Sequence, residues 1–417
     1  MSRLCGIFGR PYVNGEFKGR IAWSADGNHN DPDDWIASPL AFAIFAELGL
    51  RDRVVHFDYN SILTQTNPEW EKIHADSVLG AAKHWGYDSS RFVNVRQDKE
   101  RAIDSIARAI NASSVENPLY FVVAGPMGIP VLGIRRSDPA KRTFVTCISH
   151  SRWNDGFSPQ YSFTFTKRNI IEGGVHWVQI RDQNRLLAFG RFQVKSPLEE
   201  FAPYFWLRDS TDPKLKFLWE RMVVSTRPDP SDAGMAWFLV TGDEEATPAK
   251  VRRLLAEGRK PENVTHRPDI RIEAENFVHL EAYALEHRNN DREASHRMSA
   301  ALPASASSGR IRTKFDELYA PARARYDVEI RYLDAPDSTG QFAFFVNGKS
   351  QGAAWASRGD GSGWTSHMIR NVEIALGDEL RIHGEGEIAR IDYVQLNKPG
   401  AAPALPKKAP VAKREPR

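Results

Sequence analysis

Over the first 245 residues, short apolar runs alternate with helical periodicities. Runs at 20–24, 54–59, 119–124, 143–149 and 177–180 read as strands, and 35–48, 77–85, 99–111 and 215–222 read as helices. In the first of these helices Ile36, Leu40, Ile44 and Leu48 form one stripe. Strands that alternate with helices predict parallel βαβ units. The expected fold class is α/β, an open and mostly parallel sheet with helices on both faces. Residues 246–268 read as a linker: a short helix at 248–257, then Gly258, Pro261 and Pro268. From 269 to 397 the pattern becomes short alternating segments split by turn signals at Asp337-Ser338, Asn347-Gly348, Gly359-Asp360-Gly361 and Gly377-Asp378. That pattern predicts an all-β jelly-roll sandwich. The Pro/Ala/Lys composition of 398–417 predicts a disordered tail.

Composition narrows the function classes. The 417 residues suit two domains of the usual ~100–200 residues each. No apolar run approaches the ~20 residues of a membrane span, so no membrane partner is expected. The net charge of +3 comes from the tail, whose six Lys/Arg and one acid leave 50 basic against 52 acidic residues elsewhere. A near-neutral body argues against a nucleic-acid partner. Cys5 and Cys147 give neither a disulfide framework nor a zinc spacing, and Cys147 lies in an apolar run. No basic segment followed by an apolar stretch opens the chain. It is expected to be secreted or periplasmic if an export signal has been removed, and cytoplasmic if complete as written.

The chemistry concentrates after the first strand. Asp26, Asp31, Asp33 and Asp34 place four carboxylates within nine residues. Carboxylates repel one another, and a fold keeps them together mainly around something cationic. An oxygen-rich set suits Ca²⁺ or Mg²⁺. Asp33 and Asp34 open a helix, where the macrodipole favours negative charge, and Asp31 or Asp33 suits an N-cap. Capping accounts for one or two of the four. Other strand ends are also polar: His56, Asp58 and Asn60; Gly125-Pro126-Met127-Gly128; His150 to Asp155; and, late in the domain, Asp229 to Asp232 before an apolar helix. Ligands in open α/β sheets sit outside such carboxyl ends.

Three of these features resemble the nucleoside hydrolase family and its relatives over residues 20–245. They are Asp26 followed by Asp31-Pro32-Asp33-Asp34, the Ala124-Gly125-Pro126-Met127 strand end, and the late Asp229/Asp232 segment. The resemblance implies an active-site Ca²⁺ held by Asp26, Asp34, the carbonyl of Met127 or Gly128, and Asp232 with Asp229 as the alternative, and the longer loop of this chain adds Asp31 to the expected set. It makes Asp26 the general base, Asp33 a holder of a sugar hydroxyl, and Asn60, His150 and Asn154 sugar ligands. Trp35, Trp153 and Trp206 are candidate stacking platforms. The chain departs from the family in the longer spacing from Asp26 to Asp33. It also lacks the late His-Asp pair, since Pro228 or Ser231 stands before the candidate aspartates. His29, His150, Asp155 and Asp209 are left as candidates for the leaving-group acid.

Residues 270–397 resemble the β-sandwich carbohydrate-binding modules of glycan-degrading enzymes. The match rests on Ile272 to Phe277, Tyr326-Asp327-Val328, Phe345 to Gly348, Ile374 to Leu380 and Ala389 to Leu396. It implies a second, structural Ca²⁺ at Glu273, Glu275 and Asp392. Trp355, Trp364, Asn397 and Tyr319 are candidate glycan contacts, with a core role open for Trp355 and Trp364. The pairing of the two resemblances makes the leading expectation a calcium-dependent, inverting glycoside hydrolase acting on an oligo- or polysaccharide. The alternatives are a nucleoside N-ribohydrolase and a non-catalytic, calcium-stabilised carbohydrate-binding protein. The expected partner is a carbohydrate, and a homo-oligomer is left open.

Overall fold

The computed structural model describes residues 11–400 except 14, 30, 66, 158–160, 162–163, 192–193, 263–265, 268 and 288–292. Expectations for Cys5, Pro268 and the tail from 401 onward lie outside the described residues. Six strands form a parallel sheet: β1 (Arg20–Ala25), β2 (Val54–Tyr59), β3 (Phe92–Asn94), β4 (Leu119–Ala124), β5 (Val145–Ser149) and β6 (His176–Gln179). Their order is β3-β2-β1-β4-β5-β6. The chain therefore winds outward from β1 in one direction and then in the other. The order reverses between β1 and β4, and a crevice opens outside their carboxyl ends.

Helices cover both faces. They are α1 (Asp34–Glu47), α2 (Pro68–Trp85), α3 (Lys99–Asn111), α4 (Gly128–Arg136), α5 (Lys167–Glu172), α6 (Pro213–Val224), α7 (Ala233–Thr241) and α8 (Pro248–Leu255). Alternate strand residues feed two cores. Ile21, Trp23 and Ala25 join α1 and α7 on one face, and Ala22 joins α3 and α4 on the other. Burial on both faces explains why these strands read as unbroken apolar runs.

The single stripe expected on α1 understates its environment. Every residue from Asp34 to Phe45 is buried, because α2, α6, α7 and α8 all pack on this helix. α2 starts well before the predicted 77, at Pro68, with Asn67 capping the Trp70 amide at 3.2 Å. Its first turn is polar and shows no apolar period. β3 and α4 were not anticipated. β3 is only three residues long, and α4 carries Gly128, Pro130 and Gly133, all poor helix formers. Glycine at 133 lets α4 lie against α3, since a Cβ there would sit 2.4 Å from Ile106. In the stretch read as a linker, Val251 and Leu254 of α8 belong to the first core.

The C-terminal region is an antiparallel sandwich. Its strands are β7 (Ile270–Glu273), β8 (His279–Glu281), β9 (Ala284–His287), β10 (Met298–Ala301), β11 (Ser308–Lys314), β12 (Arg323–Pro336), β13 (Gln341–Val346), β14 (Asp360–Ala375), β15 (Glu379–Glu385) and β16 (Arg390–Asn397). One sheet runs β9-β10-β16-β12-β14 with β7 beside β16, and the other runs β8-β11-β15-β13. Asn347 and Gly348, both with positive φ (49° and 76°), make the two-residue hairpin that their sequence signals. Trp355 is sandwich core, stacked on His367 at 4.2 Å.

Candidate active site

β1 delivers Asp26 to the crevice, and β4 beside it turns through Gly125. A Cβ at 125 would lie 2.8 Å from Asp26 Oδ1, so glycine is what admits the carboxylate. Gly27 follows with φ of +59°, and a Cβ there would overlap the His74 ring at 2.4 Å. His74 is fully buried, which pushes its pKa down to about 3. The neutral ring donates from Nδ1 to the Asp26 carbonyl and to Asn60 Oδ1, both at 3.0 Å.

The first turn of α1 brings two more carboxylates. Asp33 Oδ1 accepts the Asp34 amide at 2.9 Å, so this residue is the cap, and Asp34 Oδ2 accepts the Asp26 amide at 3.0 Å. Asp232, at the start of α7, comes from the far end of the domain. Carboxylate oxygens of Asp33, Asp34 and Asp232 lie within 4.8 Å of one another. Both oxygens of Asp26 and Oδ1 of Asp34 are buried with no hydrogen-bond partner. Burial first, and then the neighbouring carboxylates, hold Asp26 and Asp34 well above the ordinary carboxylate range. Asp31 is raised in the same way, by burial and then by Asp33.

Ionised carboxylates buried without a counter-charge cost several kcal/mol each, about what a paired cation removes. Anionic, oxygen-only donors this close together fit a hard divalent ion, Ca²⁺ or Mg²⁺. Asp26, Asp33, Asp34 and Asp232 would hold it. Asp33 thus joins the group, although the sequence reading gave it a sugar hydroxyl.

His150 and Asp232, far apart in the sequence, meet in the structure. His150, just after β5, puts Nε2 2.6 Å from Asp232 Oδ1, with the Gln183 amide 3.3 Å from its Nδ1. Burial alone would lower the His150 pKa. Asp182 and Asp232 outweigh it and push the pKa up to about 10.

A cleft of about 620 Å³ opens over Asp33 and Asp232, with Asp26 and Asp34 buried outside its lining. Asp31, Asp33 and Asp232 line it, with Asn154 and Trp153 on a wall. Trp153 is 37% exposed, and its ring lies 5.6 Å from that of Tyr161. Tyr161, Asp182 and His296 also line the cleft and were not singled out from the sequence, whereas Arg152, another lining residue, falls in the polar run from His150 to Asp155. Each sits in an irregular segment with no periodicity to mark it.

Two expected site residues do other work, and a third has one carbonyl lone pair engaged. Asn60 is buried with φ of +60°, its amide donating to Glu71 O at 3.1 Å, so its side chain ties loops together behind the cleft. Trp35 is buried, donates to Gly27 O at 2.7 Å and abuts Trp70, bracing the aspartate loop from beneath. The Met127 carbonyl accepts the Val131 amide at 2.9 Å, as the first turn of α4 requires.

No family model matches the chain. An uncharacterized protein, P22 of Formosa agariphila, is 29% identical over 244 residues, 54% of this chain and 84% of that one. The C-terminal region resembles carbohydrate-binding modules. The C-terminal CBM6 of LamC, a laminarinase from Zobellia galactanivorans, shares 16% identity at a TM-score of 0.25, over 31% of this chain and 99% of that chain. A family 35 carbohydrate-binding module from Clostridium thermocellum shares 17% at a TM-score of 0.25, over 31% and 98%.

The sandwich carboxylates expected to hold a second ion are engaged by the protein itself. Glu275 is paired at 3.1 Å with Lys167 of the first domain, and both are buried. Asp392 accepts from Arg331 at 2.6 Å and from the Ser295 amide at 2.9 Å, and Ser295 Oγ also donates to Glu273. Lys167 and Arg331 thus lie against two of these acids, while Glu275 Oε2 stays buried without a hydrogen-bond partner. Among the described residues, the acidic group with ion-ready spacing is Asp33, Asp34 and Asp232. Tyr319, a candidate glycan contact, is buried instead in the first core and donates to Leu239 O at 2.9 Å.

Proposed function

We propose that the cleft is the active site of a divalent-cation-dependent, inverting glycosidase acting on an oligo- or polysaccharide. One observation carries the reading: three buried, unpartnered carboxylate oxygens of Asp26 and Asp34 at the switch point, below an open cleft. The nucleoside-hydrolase-like pattern of the aspartate loop and the glycan-module pattern of the sandwich support it. When bound, the cation acidifies water and fixes vicinal hydroxyls.

The protein's own groups divide the remaining work. Asp26 takes the proton of the attacking water, at a position fixed by His74, Gly27 and Gly125. Asp31, at the edge of the floor, faces the sugar hydroxyls. Trp153 and Tyr161 offer ring faces to the sugar. His150 donates from Nε2 to Asp232 and so holds that carboxylate in place at the cation site. Attack by water without a covalent intermediate inverts the anomeric centre.

The test is an assay of the full chain with Ca²⁺ or with EDTA, on a polysaccharide panel and on nucleosides. Reducing sugar released only with Ca²⁺, and lost in Asp26→Asn, is the expected result. Release of free base would instead indicate a nucleoside hydrolase. Retention on a glycan without turnover would indicate a binding protein.

A further inference from the structure

The sandwich reaches into the cleft. His296, between β9 and β10, lines the cleft beside residues of the first domain. His296 and Arg297 are consecutive non-glycine residues in left-handed backbone, with φ of 49° and 53°. Such a conformation is costly for a residue with a Cβ, so the surroundings must impose it. They do so through Ser295. Its amide is held by both Asp392 oxygens at 2.9 and 3.1 Å, and its hydroxyl by Asp392 and Glu273. The acids that the sequence suggested for calcium thus anchor a strained turn against the catalytic cleft.

The turn lies near basic groups of the cleft. Arg152 and Arg227 line it, Arg227 paired with Asp229, and Arg297 and Arg185, outside the lining, lie near enough to Arg152 to repel it, with Asp182 as the opposing acid. Asp182 is shared with His150. The cleft thus sets the guanidinium groups of Arg152 and Arg227 beside the carboxylates of Asp31, Asp33 and Asp232. Guanidinium forks match carboxylate and sulfate oxygens, and like charges lining a cleft focus a field that gathers counter-ions.

We infer that the glycan bound here is anionic, with a carboxylate or sulfate group received by Arg152 and by the His296–Arg297 turn across the seam between the two domains. This rests on reading the cleft as a glycan site. It makes the sandwich a contributor to substrate selection within the cleft, besides any glycan contact elsewhere on its surface.

Affinity electrophoresis of the full chain tests it, with gels containing polygalacturonate (carboxylate only), carrageenan (sulfate only) or a neutral β-1,3-glucan. The expected result is retardation by at least one polyanion and none by the neutral glucan. Which polyanion retards identifies the group. Arg152→Ala combined with Arg297→Ala should weaken retardation about ten- to a hundredfold. Lys407→Ala combined with Lys408→Ala removes the same charge from the tail and should leave retardation unchanged. Equal loss in both double variants, or no retardation by either polyanion, overturns the inference. Polyanion binding without turnover would uphold it while refuting the glycosidase reading. Cleavage of the neutral glucan, indifferent to the arginine substitutions, would do the reverse.

Discussion

At the scale of single residues, the site depends on two glycines as much as on its acids. Gly125 gives Asp26 its space. In Gly125→Ala the new Cβ would meet Asp26 Oδ1 at 2.8 Å, and the carboxylate must turn away. The expected outcome is loss of cation-dependent stabilisation in a protein that still folds. Wild type, stripped with EDTA and returned to Ca²⁺ at a hundredfold excess over Kd, should gain about 2.7 kcal/mol. The variant should gain under about 1 kcal/mol on the same linkage. Equal gains in thermal melts would place the ion away from Asp26. The aspartates were legible in the sequence because acids crowded into one loop have few bland explanations. His74 was not, because nothing about a histidine inside a helix signals that its Nδ1 supports the Asp26 carbonyl.

At the scale of elements, α1 couples the core to the site. Phe42 is fully buried and packs on Phe57, Tyr87 and Phe92 with ring centroids 4.6 to 5.1 Å away. Phe42→Ala should cost about 3–5 kcal/mol, as large-to-small changes in tight cores do. The first turn, with Asp33 and Asp34, lies two helical turns away. Calcium binding by the folded protein should therefore persist, and urea denaturation with and without Ca²⁺ checks both expectations. The strands at 54–59 and 119–124 and the helix at 99–111 matched the sequence reading residue for residue. Strong periodicity and clear caps make such elements readable. The surrounded state of α1 was not, since the stripe from Ile36 to Leu48 accounts for one face and leaves the apolar residues on the others, Ala41, Phe42 and Phe45 among them, uncounted.

At the scale of the whole molecule, the two domains share a seam of buried charge. Arg267 pairs with Glu317 at 3.1 Å and also with Glu244. Burial first, with repulsion from Glu244, and against the pull of Arg267, holds the Glu317 pKa up to about 7 from an ordinary 4.5. A raised carboxylate binds more protons in the folded state than in the unfolded one. Its stabilising contribution is complete below about pH 4.5 and is lost as pH rises through 7, a change of about 3 kcal/mol. Glu317→Gln should flatten the stability profile between pH 5 and 8 by roughly that amount. Urea unfolding across this range checks it, and an unchanged profile would remove Glu317 from the account.

The sequence by itself determined the layers, the two-part plan and the loop that carries the acids. These follow from local apolar patterning and from composition, which act over a few residues. Only the tertiary structure decided which distant groups meet. The pairing of His150 with Asp232, the exclusion of Asn60 and Trp35 from the cleft, and the capture of Glu275 by Lys167 depend on sheet order and domain docking. The free energy of such contacts comes from burying groups far apart in the chain, and no local pattern encodes it.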